Sequence, residues 1–180
     1  ETLIKFYAPM NIILHPIMFD DQEAQGAPFT EPWIEKVIIP EPAPEIPHHW
    51  HACTKVNYFI DNHDFVDDDY YIIATDDGMF EANVFPAIKQ RDEDVVVISL
   101  KRGYQIPKGT PPETAYPTGT LIACPENMRY GSVSGDQVFI KGKYYKKYKW
   151  DNERGADGRM AVHMAKHYQV HYEPGLYALF

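Results

Sequence analysis

An all-β domain, either a closed barrel or a two-sheet sandwich, is what this sequence predicts, and three observations predict it. Short β-branched and aromatic runs recur between residues 55 and 140. Turn-forming residues separate them at short intervals. Helical spacing is weak everywhere except in one late segment.

The predicted strands span 56–60, 70–74, 79–85, 94–100, 119–124 and 137–140. Their separators are Asp67-Asp68-Asp69, Asp76-Asp77-Gly78, Arg91-Asp92-Glu93 and Ser134-Gly135-Asp136. Asp77-Gly78 lies between two apolar runs and predicts a hairpin, because both residue types tolerate the positive φ such a turn demands. Val95, Val97, Leu121 and Phe59 are expected in one sheet-on-sheet core, and Pro107 to Gly109 in a tight turn. The helical exception is 158–168, where Met160, Ala161, Met164 and Ala165 recur at helical spacing, ahead of a last strand at 169–172.

Upstream, Pro40, Pro42, Pro44 and Pro47 exclude both helix and central strand. Short strands are expected at 11–14 and 17–19, with 32–39 turning into another. Residues 1–47 therefore read as an extended N-terminal arm packing on the core or on a partner, and 48–180 as the β domain. A chain of 180 residues suits a single domain.

Composition narrows the functional classes. No apolar run approaches the ~18 residues a membrane-spanning helix needs, so no membrane partner is expected. The opening residues, Glu1 to Lys5, carry no pattern of a secretory signal. Cys53 and Cys124 are too few for a disulfide scaffold and read as reduced thiols, which points to a cytoplasmic protein. A net charge of -9 opposes nucleic-acid binding. The basic run 141–149, with Tyr144, Tyr145 and Tyr148 interleaved, reads as a guarded, solvated sheet edge rather than a platform for single strands. The Asp67–Asp69 and Asp92–Asp94 clusters read as solvated loops, and the G-x-S-x-G spacing of a hydrolase nucleophile is not met around Gly131 to Gly135.

One stretch carries a family resemblance. His49-Trp50-His51-Ala52-Cys53-Thr54-Lys55-Val56 resembles the first cupin motif, in which H-x-H precedes a glutamate and an apolar strand. On a strand, residues two apart share a face, so His49 and His51 would aim into one barrel. Lys55 stands where the family has glutamate. Gly103 to Thr114 is similar to the second cupin motif, built around Pro107-Lys108-Gly109, with Pro112 where the family has its last histidine and Tyr116 where it often has asparagine. The vestigial ligand positions are thus His49, His51, Lys55 and Pro112.

The resemblance implies a cupin-like barrel or jelly roll with an extended N-terminal arm and a short C-terminal helix. It further implies a degenerate subunit that binds no metal and no cofactor of its own. Such a chain is similar to the small subunit of hetero-oligomeric non-haem iron dioxygenases that cleave hydroquinone, with Fe(II) in a larger cupin partner and a small aromatic substrate. Two alternatives stay open. One is a self-sufficient metal enzyme, a dioxygenase or isomerase, using His49 and His51 with Glu113, His48 or His63 completing the set. The other is a non-enzymatic cupin that binds a small ligand. Finally, His163, His167 and His171 recur every four residues; on a helix the first two share a face and could clamp a metal ion, the alternative being a plain surface helix ending near Tyr168. The drift of a four-residue repeat around the helix argues against all three meeting one ion.

Overall fold

The computed structural model describes residues 12, 13, 15, 17–19, 32, 34, 35, 37–40, 51–74, 79–102, 119–130, 132–151 and 155–179. The chain forms two compact units, Glu1–Asp64 with Lys149–Arg154, and Phe65–Tyr148 with Gly155–Phe180.

In the first unit, strands β1 (Ile17–Phe19) and β2 (Val37–Ile39) pair in parallel, with Ile17 opposite Val37. Beside them runs helix α1 (His51–Asn62). Cys53, Val56, Phe59 and Ile60 are its buried residues. That three-and-four spacing is one apolar helical face, and it overturns the strand expected at 56–60. Trp150 is fastened to the helix by a reciprocal pair: Asn57 Nδ2 donates to the Trp150 carbonyl at 2.8 Å, and the Trp150 N–H donates to Asn57 Oδ1 at 2.7 Å.

The second unit is built on a curled six-stranded sheet. Its strands are β3 (Tyr70–Tyr71), β4 (Met79–Phe80), β5 (Val95–Arg102), β6 (Gly119–Leu121), β7 (Val138–Lys141) and β8 (Val170–Leu179). They lie in the order β3, β7, β5, β8, β4, and β6 pairs with the far end of β5. Helices α2 (Val84–Ile88), α3 (Gly142–Tyr145) and α4 (Ala156–His167) join them. Val95 to Leu100 are all buried, side chains of both sheet faces included. A strand covered on both faces reads as a continuous apolar run, which is how Val95-Val96-Val97-Ile98 appears in the sequence.

The sheet-rich expectation holds, while the all-β description does not extend to the four helices or to the pairing. β8 runs parallel to β5, whereas β7 runs antiparallel to it and β3 antiparallel to β7. Strands β3, β5 and β8 therefore point the same way. The predicted strands at 94–100 and 137–140 are found, that at 119–124 stops at Leu121, and the late helix occupies 156–167. Only Met79-Phe80 of the strand expected at 79–85 is strand, because Val84 opens α2. The hairpin at Asp77-Gly78 is not: β3 pairs with β7 and β4 with β8, at opposite edges of the sheet. Leu121 is only half-buried, and Phe59 belongs to the first unit rather than to the core around Val95 and Val97. The turn at 107–109 lies outside the described residues.

The basic run is also reassigned. Lys141 is a buried residue of β7 between β3 and β5, and the residues after it turn into α3 instead of extending an edge. At the other end of the unit, β8 keeps register with β5 through Glu173 opposite Ile98, then resumes with Tyr177 opposite Ser99. Pro174-Gly175-Leu176 is the bulge between, a place where proline costs no ladder hydrogen bond. Buried Ser99 fixes it, donating to the Pro174 carbonyl at 3.1 Å and accepting the Ala123 N–H at 2.9 Å.

Candidate functional site

Of the residues singled out in the cupin-like motifs, His48, His49, Pro112, Glu113 and Tyr116 lie outside the described residues. His51 is the first residue of α1 and Lys55 lies one turn further along it. The H-x-H geometry of a strand is thereby lost at its second histidine, because a helix, not a strand, begins there. His63 follows the helix and stacks on Phe59, ring centroids 4.4 Å apart. His15 stands 4.7 Å from His63, with its Nδ1 3.6 Å from Glu35 Oε2. Burial lowers the pKa of both imidazoles, and for His15 the neighbouring His63 adds to it while Glu35 opposes. Among the described residues no group of three or more His, Cys, Asp or Glu side chains is arranged to hold a metal ion.

Two ends of the second unit's sheet carry polar clusters of different kinds. At the amino end of β5, His171 sits between two carboxylates: its Nδ1 is 3.3 Å from Glu93 Oε1 and its Nε2 2.7 Å from Glu173 Oε1. Arg91 also pairs with Glu173. Backbone N–H groups of Glu93 and Asp92, with His171 and Arg91, hold the Glu93 carboxyl below the usual carboxylate range. Tyr70 donates to the Glu93 carbonyl, and burial together with the Glu93, Asp92 and Asp94 carboxylates pushes its phenol up to about 12. Buried Lys141 donates to the Asp92 carbonyl at 2.6 Å and to Asp92 Oδ1 at 3.0 Å. The Asp92 carboxylate is fully exposed, so the carbonyl is the stronger of the two anchors. Each charge here is matched from within the unit, which is what a structural network needs.

At the carboxyl end of the parallel strands the arrangement is looser. Lys101 Nζ donates to Glu81 Oε1 at 2.8 Å and lies 3.7 Å from the centroid of the Tyr177 ring. Lys101 and Glu81 each keep about a third of their side chain exposed. Nearby in the fold, Gln137 Nε2 donates to the Ile98 carbonyl, and the Ser134 hydroxyl donates to buried Asp136. Asp157, in the first turn of α4, accepts the N–H groups of Gly135 at 3.2 Å and Gly158 at 2.8 Å. Sequence reasoning missed Lys101 and Glu81. Only the β4–β8 and β5–β8 pairings bring them together with Tyr177, and those pairings are non-local.

A third cluster lies on α3 and α4. The rings of His163 and His167 are 4.5 Å apart, and that of Tyr148 is 4.8 Å from His163. Tyr144 packs on Tyr168 at 4.3 Å. His171 lies on β8 between Glu93 and Glu173, apart from the other two because the helix ends at His167 and not through drift around it. Burial lowers the pKa of His163, aided by His167 and Lys166. The depression between β5 and the 122–133 segment, lined by Val97, Ala123, Cys124, Met128 and Val133, encloses essentially no space for a water molecule. That falls short of the ~300–1,000 Å³ typical of ligand pockets.

No protein-family model, no curated protein and no solved structure matches this chain.

Proposed function

We propose that this chain is a small-molecule-binding domain whose ligand carries a phosphate or carboxylate and sits at the carboxyl end of the parallel pair β5 and β8. The observation that carries the reading is Lys101: an ammonium on a central parallel strand, at that end, held by one part-exposed carboxylate and one aromatic face. In open sheets with parallel strands, ligands bind outside the carboxyl ends, where backbone and loops from several strands converge. That rule is a fold-level analogy, and the chemistry rests on Lys101. Both partners of Lys101 are exchangeable, so an incoming anion can take the ammonium without leaving a buried charge behind.

The test is thermal shift of the full chain against inorganic phosphate, a nucleoside diphosphate, a sugar phosphate and a hydroquinone carboxylate. Stabilisation by a phosphate-bearing compound in the wild type, lost in Lys101→Met, supports the proposal. No stabilisation by any anion sinks it.

A second reading is the degenerate cupin subunit of a hetero-oligomeric, hydroquinone-cleaving dioxygenase, with Fe(II) in the larger partner. The curled, sheet-rich unit is compatible with it, and Val66, Ile122 and Tyr130 expose 40–57% of large apolar side chains that a partner could cover. The start of helix α1 at His51 weighs against the motif that suggested it. A stoichiometric larger iron-bearing subunit co-purifying with the native chain would favour this reading. Iron bound by the isolated chain and lost on His49→Ala would favour the self-sufficient metal enzyme instead.

A further inference from the structure

We propose that His163 and His167 form a two-imidazole site on α4 for a borderline divalent transition ion such as Zn²⁺, Ni²⁺ or Cu²⁺, with water completing the coordination. The two residues are four apart in a twelve-residue helix, so they share one face. Their rings are already neighbours at 4.5 Å between centroids. Metal–nitrogen bonds of about 2.0–2.1 Å place two nitrogens of one ion about 3 Å apart, a spacing that side-chain torsions of such a pair can reach. Imidazole is a ligand that these ions favour, and affinity rises toward Cu²⁺ along the first row.

The surroundings suit a partly solvated site. His167 is exposed and His163 half-buried, which leaves the outer coordination positions to solvent. Tyr148 lies against His163 and limits its movement, so one ligand is pre-oriented. Lys166 is the near charge that opposes a cation. Being exposed, it weakens the site by screened repulsion rather than closing it. Holding the two side chains together would brace the last turn of α4, which leads directly into β8. Metal binding should therefore be linked to stability of the second unit.

The test is the number of Zn²⁺ ions bound per full chain at pH 7.5 by equilibrium dialysis, in wild type, His163→Gln, His167→Gln and, as a control, His171→Gln. Any ion taken by His48, His49 or His51 is common to all four proteins, so the difference between proteins isolates this pair. The expected result is one ion fewer in His163→Gln and in His167→Gln alike, with His171→Gln unchanged. Equal stoichiometry in all four, or dependence on only one of the pair, overturns the proposal. As a second measurement on the wild-type chain, Cu²⁺ should broaden the ring proton signals of His163 and His167 in step; sharp signals for either would overturn it as well.

Discussion

Replacing Gly142 by alanine probes how α3 is joined to the sheet. A Cβ at this position would lie 2.2 Å from the Val66 carbonyl oxygen, 3.0 Å from the Tyr71 ring and 3.1 Å from Phe65 Cβ. The first contact decides the outcome, since ordinary van der Waals separation requires a retreat of about 1 Å. The atom that must move is main chain, and its segment is stapled in place: Gly142 N–H donates to the Asp69 carbonyl at 2.9 Å and Lys143 N–H to that of Asp67 at 3.2 Å.

Overpacking of this kind costs roughly 1–3 kcal/mol. If the 65–69 segment peels away instead, two backbone hydrogen bonds worth about 0.5–1.5 kcal/mol each are lost. Alanine returns at most about 1 kcal/mol in helix preference. The net expectation is a loss of about 1–2 kcal/mol, which at this chain length lowers Tm by roughly 2–8 °C. Differential scanning calorimetry of Gly142→Ala reads it, with Gly119→Ala as control because a Cβ there meets nothing within 4 Å. Equal melting of Gly142→Ala and wild type would refute the account of how the 65–69 segment docks.

Three further outcomes follow from buried polar groups. The Tyr145 hydroxyl is buried between Phe65 and Tyr71 without a partner among the described residues, and burial pushes its pKa up. Tyr145→Phe should therefore leave Tm unchanged or raise it, by up to about 1–3 kcal/mol of relieved desolvation; a clear drop would mean the hydroxyl is satisfied. Ser99→Ala strips the buried Ala123 N–H of its acceptor and should cost about 1–3 kcal/mol in urea unfolding. His15 and His63 have folded pKa values below their ordinary 6.5, so the unfolded chain binds more protons there. Stability from this pair is complete above 6.5 and is lost as the pH falls below it. Urea midpoints should drop between pH 7.5 and 5.5, and by less in His63→Phe; equal drops would remove these histidines from the explanation.

Local signals in the sequence were reliable where one element owns its pattern. The run Val95 to Leu100 is apolar because both faces of β5 are covered, and the Met160, Ala161, Met164 spacing is the inner face of α4. The failures share a cause. Val56, Phe59 and Ile60 satisfy a strand's composition and a helix's spacing equally well in so short a window, and packing against β1 and β2 decides for the helix. Asp77-Gly78 suits a hairpin, but β3 and β4 each find a better-buried neighbour, β7 and β8, contributed from far along the chain. Lys141 looked like an edge charge because nothing local shows that Asp92, 49 residues earlier, presents it with a carbonyl. The same non-locality hid the site at Lys101: its carboxylate comes from 20 residues upstream and its aromatic face from the last strand.

That assembly sets how strongly Glu81 should compete with a ligand. The Lys101–Glu81 pair is about one-third exposed on both sides, so its worth is that of a surface pair, about 0.2–1 kcal/mol. A ligand binding with micromolar Kd gains about 8 kcal/mol in total, and releasing the ammonium from Glu81 is a small part of that. Glu81→Gln keeps the shape and a hydrogen-bond acceptor but removes the competing charge. Affinity for a phosphate-bearing ligand should then rise, by no more than about fivefold, since 1 kcal/mol corresponds to that ratio. The gain should shrink as salt is raised, because the competition it removes is electrostatic and partly solvated. Isothermal titration at two ionic strengths measures both. A weaker-binding Glu81→Gln protein would show that the carboxylate aims Lys101 rather than competes for it, and the exchange on which the proposed binding depends would have to be abandoned.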